Sequence, residues 1–228
     1  MMRRILLLAG AALAMAAPAV AAPGAHPDFT GVWQITDHSP AMKTVDGKTP
    51  PLRPEAKAVY DQHKAMAAKG DRSFDLAAIC IPEGMPRLMT VNKPFEMLQR
   101  DKAIYFVHQN RLPHRAYFGE AAPVDPELLY LGYSTAKWDG QVLVVETTGF
   151  RDVTILDDDG LPHSDAMKLT ERYSLGKDGK SMDVRFTIDD PKTFTQSWSS
   201  VAHYAKRTGF QMPEEVCAES LKSTAPKR

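Results

Sequence analysis

Apolar and polar side chains tend to alternate with a period of two in a series of short runs separated by turn-forming clusters. That period sends neighbouring side chains to opposite faces, as half-buried strands require. The runs are Phe29–Ile35, Phe95–Gln99, Ile104–His108, Arg115–Phe118, Leu129–Ala136, Gln141–Thr147, Leu169–Leu175, Met182–Ile188 and Thr195–Tyr204. Turn chemistry joins several of them into hairpins. Arg100-Asp101-Lys102 separates one pair, Gly176–Lys180 another, and Trp138-Asp139-Gly140 supplies the strong Asp-Gly turn signal. A helix is expected from Pro54 to Gly70. Pro54 suits the first helical position, Glu55 the positive end of the dipole, and Gly70 the C-terminal stop. Cys80–Arg87 reads as a stiff Pro-containing loop and Phe150–Asp165 as a polar connection.

Seven to nine strands in sequence with one helix in the N-terminal half predict an all-β fold, an antiparallel meander. Closing it into a lipocalin- or calycin-like β-barrel removes the exposed edges; a two-sheet β-sandwich is the alternative. No second domain and no repeat is evident. The domain is expected over 22–222, with 223–228 as a disordered tail.

The N-terminus adds a destination. Met1-Met2-Arg3-Arg4 is a short basic start, Ile5–Ala17 an apolar run too short to span a bilayer, and Ala19-Val20-Ala21 a small-residue cleavage site. Residues 1–21 are therefore expected to be a signal peptide for a periplasmic or secreted protein. Removing 21 of 228 residues leaves 207, enough for one domain with a sizeable core. The 28 basic and 28 acidic residues become 26 and 28 once Arg3 and Arg4 are gone, a balance that steers the protein neither to nucleic acid nor to an anionic membrane. No stable membrane insertion is expected after cleavage. The two cysteines, Cys80 and Cys217, are expected to pair in an oxidising compartment.

Two resemblances follow. Gly31-Val32-Trp33 resembles the Gly-x-Trp signature of lipocalins and implies a closed barrel with an internal pocket. Pro27–Trp33, Gly84-Met85-Pro86-Arg87, Trp138-Asp139-Gly140, His163-Ser164-Asp165-Ala166, Glu171-Arg172-Tyr173 and Asp189-Asp190-Pro191 together resemble a large family of exported, mostly uncharacterised β-rich bacterial proteins. That resemblance implies an exported β-rich domain and carries no activity with it.

Candidate chemistry is dispersed. His163-Ser164-Asp165 is the densest polar cluster. Histidine exchanges protons near neutral pH and a carboxylate can fix its tautomer, so His163 is the expected proton-transfer residue with Asp165 orienting it. Arg115 or Arg172 would stabilise a developing oxyanion, and Arg115 could instead clamp a carboxylate or phenolate. His108, His114, Glu146 and Trp198 are candidate substrate-binding residues. Glu146 ends the face shared with Val142 and Val144, as a rim carboxylate or an inward one. A nucleophilic serine is not supported, since no Gly-x-Ser-x-Gly elbow occurs. Asp157-Asp158-Asp159-Gly160 lacks the spacing of an EF-hand, and the scattered methionines form no metal motif, so no metal is expected. No Gly-rich phosphate loop or haem motif calls for an organic cofactor. The functional expectation is a cofactor-independent lyase or isomerase acting on an aromatic or apolar, lignin-type substrate. The alternative is a non-catalytic barrel that binds a hydrophobic ligand.

Overall fold

The computed structural model describes residues 26–109 and 112–217. The expected signal peptide at 1–21 and tail at 223–228 lie outside them. Nine strands close a single barrel in chain order. They are β1 (Gly31–Ile35), β2 (Phe95–Gln99), β3 (Ala103–His108), β4 (His114–Phe118), β5 (Tyr133–Asp139), β6 (Val142–Thr148), β7 (Lys168–Leu175), β8 (Ser181–Asp189) and β9 (Trp198–Lys206). The barrel, and not the sandwich, is the fold. The last strand returns to the first through the register Trp33↔Lys206 to Ile35↔Tyr204.

One pairing departs from an antiparallel meander. β4 and β5 run parallel, over Ala116↔Ser134, Tyr117↔Thr135 and Phe118↔Ala136 only. Two parallel neighbours need a crossover of a dozen or so residues, and Gly119–Gly132 provides it.

Register sorts the side chains. Partners across antiparallel strands share a face. Trp33, Phe95, His108 and Met97, Phe106, His114 fall in consecutive inward rows. Val145, Glu171 and Phe186 share another, and Leu143, Tyr173 and Val184 the next. Trp33, Phe95, Met97, Phe106, Tyr173 and Phe186 are all essentially inaccessible. The middle of the barrel is thus filled by aromatic and aliphatic side chains and serves as the hydrophobic core. The internal pocket expected from the lipocalin resemblance does not coincide with this packed middle.

Helix α1 (Pro54–Ala67), a 3₁₀ turn at Leu76–Ile79 and the short helix α2 (Arg87–Thr90) lie between β1 and β2 in the chain, the 3₁₀ turn just before the stretch Cys80–Arg87 that reads in sequence as loop and α2 starting at its last residue. The Tyr60 hydroxyl of α1 donates to Asp157, and His63 Nδ1 lies 2.7 Å from the Gly160 carbonyl. The buried Arg87 guanidinium makes a bidentate contact with Asp75 and a third bond to Asp158. It ties the 3₁₀ turn, α2 and the 157–160 turn together. Cys80 and Cys217 are disulfide-bonded across a sequence separation of 137. No helix among the described residues is long and apolar enough to cross a membrane.

Candidate functional site: a wedge beside β4 and β5

The parallel pair opens the barrel wall. β4 begins at His114, yet its pairing with β5 begins only at Ala116. The chain entering β5 is committed elsewhere: Leu129 N–H donates to the Gly149 carbonyl and Arg151 N–H to the Leu129 carbonyl. Segment 129–131 therefore runs along 149–151, and turns towards β4 only after Gly132. Gly132 has φ +68, and a Cβ there would lie 2.7 Å from both the Thr147 side chain and the Thr148 carbonyl. Only glycine combines that backbone with so close an approach.

The wedge left between the two segments is a cleft of about 550 Å³. Its walls are apolar and aromatic: Leu112, Pro113, Tyr117, Leu129, Tyr130, Leu131 and Tyr133. The Tyr117 and Tyr133 rings stack with centroids 6.0 Å apart. His114 and Ser134 form the inner end, and Arg115 stands on the outer face of β4. His114 Nε2 lies 2.6 Å from Ser134 Oγ, which lies 2.8 Å from Thr147 Oγ1. Burial pushes the His114 imidazole down to about 4, so the ring is neutral at pH 7. Its Nδ1 has no hydrogen-bond partner among the described residues. Cleft size and lining fall within the range of small-molecule sites, roughly 300–1,000 Å³ and mainly hydrophobic with a few polar groups.

His163 lies elsewhere, on the 150–167 connection. Its Nδ1 is 3.0 Å from the Ser164 carbonyl, which can only accept, so Nδ1 carries the proton. Its Nε2 then accepts from the Thr154 hydroxyl at 2.7 Å. Burial holds the ring below its ordinary pKa, against the opposing pull of the Ser164 carbonyl and of Asp190 and Asp152. Both nitrogens of a buried neutral ring are thus occupied, as for a structural brace. Gly84 presses on that brace, for a Cβ there would meet Thr154 Oγ1 at 2.4 Å. Asp165 does not orient His163. It is exposed and bonds Lys192 at 2.6 Å, while Asp190 receives the Ser164 N–H and hydroxyl.

The other expected residues divide by face. Arg172 points outward onto Asp139, 2.7 Å away, and Glu146 outward onto Lys137, 2.8 Å away; neither reaches the cleft. Trp198 faces inward at the barrel end against Phe194. His108 is buried inside and stacked on Phe95. Of the sequence candidates, only His114 and Arg115 meet at the cleft.

Ser134, Thr147 and Glu171 are not among the site candidates the sequence offers. The Glu171 carboxyl is fully inaccessible inside the barrel, where it accepts from the Tyr173 hydroxyl at 2.9 Å while its Oε2 has no partner among the described residues. Desolvation drives it up to about 8, so it is largely protonated at pH 7. The alternation Leu169, Glu171, Tyr173, Leu175 places that carboxyl on the apolar face.

A second concavity, of about 810 Å³, lies at the barrel end between His26, Gln99, Arg100 and Trp138. Trp138 is stacked there by His26, with centroids 4.2 Å apart and planes 3° from parallel. No protein-family model, curated protein or solved structure matches the chain.

Proposed function

We propose that the protein is a non-catalytic carrier of small aromatic molecules, held in the wedge beside β4 and β5. The observation that carries this reading is the cleft itself, an apolar and aromatic concavity of about 550 Å³ kept open by a local mismatch in strand pairing. An aromatic ring there meets Leu129, Leu131 and the three tyrosines, and burying its surface supplies the driving force, at about 25 cal/mol per Å². His114 and Ser134 offer polar contacts at the inner end. Carriage is preferred over a lyase or isomerase because both nitrogens of His163 are engaged and Asp165 is bound by Lys192. The Cys80–Cys217 disulfide supports a working place in the periplasm or outside the cell.

The test is titration with 2-naphthol, followed by intrinsic fluorescence. Leu129 is partly exposed at the cleft wall, so Leu129→Trp fills the wedge without entering the core. Saturable one-site binding by the wild type and its loss in Leu129→Trp are expected. No saturable binding, or equal binding by both proteins, would overturn the carrier reading.

A further inference from the structure

We infer that the cleft selects aromatic monocarboxylates, with the Arg115 guanidinium receiving the carboxylate. This inference rests on the carrier reading and adds a charge requirement to it.

Several cations elsewhere on the molecule are already paired. Lys137 is bound by Glu146, Arg172 by Asp139, Lys192 by Asp165 and Arg87 by Asp75. Arg151, near the cleft, donates to the Leu128 carbonyl and lies over the Tyr130 ring, 4.9 Å from its centroid. Glu120 accepts the Tyr133 hydroxyl at 2.6 Å. Arg115 has no ion pair and no hydrogen bond to its side chain among the described residues, although it is part of the cleft lining. A planar guanidinium with five donors is suited to a carboxylate, which it can grip through two parallel bonds.

The opposite end of the cleft is uncharged. His114 is buried and held to Ser134, and Ser134 to Thr147. A carboxylate pushed to that end would lose its water without meeting a cation, which is costly. The cleft therefore has a polarity: cationic at its mouth, apolar and aromatic along its walls, neutral at its floor. An occupant with an aromatic ring inside and one carboxylate outside matches every part of it. A neutral aromatic amide matches all but the mouth.

The experiment is calorimetric titration at pH 7 with 2-naphthoate and its neutral isostere 2-naphthamide, against wild type, Arg115→Gln and Leu129→Trp. Arg115 is exposed on the outer face of β4, so its replacement leaves the core intact. The wild type should bind naphthoate about tenfold more tightly than naphthamide, the scale of one charge-assisted contact at a rim. Arg115→Gln should bring the two affinities together by weakening naphthoate alone, and Leu129→Trp should weaken both. Equal wild-type affinities, or a preference that survives in Arg115→Gln, would overturn the charge requirement and leave the carrier reading standing if Leu129→Trp still abolishes binding. Failure of both ligands to bind the wild type would overturn the two together.

Discussion

Glu171→Gln isolates the energetic effect of the buried carboxyl. In the unfolded chain that group ionises near 4.5, and inside the barrel it holds its proton to about 8. Between those values the folded state binds a proton that the unfolded state lacks, so stability falls as pH rises. The contribution is complete below about 4.5, is lost progressively, and is gone above about 8. His114, pushed down to about 4, acts in the opposite sense, and its effect is complete by about pH 6.5. The informative window is therefore pH 6.5 to 8.5. At about 1.36 kcal/mol per pH unit, Glu171 should cost the wild type about 2 kcal/mol across it. A glutamine has nearly the shape of the protonated acid and can still accept from Tyr173, but it does not titrate. Urea denaturation at half-unit pH steps, with the wild-type free energy subtracted from that of Glu171→Gln, should give a difference growing by about 2 kcal/mol in the variant's favour. A difference that stays flat, or grows in the wild type's favour, would refute a protonated Glu171 in the barrel.

Three further outcomes follow from the packing. Replacing both Cys80 and Cys217 by serine frees a span of 137 residues and should lower stability by about 3–5 kcal/mol in urea; native protein with two alkylatable thiols would contradict the bridge. Asp75→Ala leaves the buried Arg87 with only Asp158, and should cost about 3 kcal/mol, part of it recovered when Arg87→Met is added; strictly additive losses would show the pair uncoupled. Thr154→Val removes the hydroxyl that His163 Nε2 accepts, and should cost about 1–2 kcal/mol while leaving naphthoate affinity within twofold of wild type; a tenfold loss of affinity would put His163 back at the binding site.

The strands were legible because each keeps one face in the core, so burial imprints alternation on the residues themselves. β8 reads Met182, Val184, Phe186, Ile188 inward with Asp183 and Arg185 outward, and its boundaries follow directly. The disulfide was legible from two cysteines and a destination. The parallel pairing of β4 with β5 was not, because the crossover at 119–132 has no periodicity and strand partners are chosen by tertiary packing. Leu129–Ala136 looks like one strand, yet Gly132 breaks it and sends Leu129 to Phe150. That break makes the cleft, so the sequence conceals the site although it offers His114 and Arg115 as candidates. His163-Ser164-Asp165 misled for a related reason. A dense polar triplet suggests chemistry, whereas its real partners, Thr154, Asp190 and Lys192, come from up to 27 residues away and satisfy it as a brace. Arg87 reads as a loop residue with no visible partner because the carboxylates that let it be buried, Asp75 and Asp158, lie 12 and 71 residues distant.

The most direct test of the account is a map of backbone amide shifts on addition of 2-naphthoate to the full chain. Perturbations gathered at Arg115–Tyr117 and Leu129–Ser134 are the result this structure predicts. Perturbations centred on 163–165 or on the Trp138 end of the barrel, with the β4–β5 wedge unmoved, would contradict it.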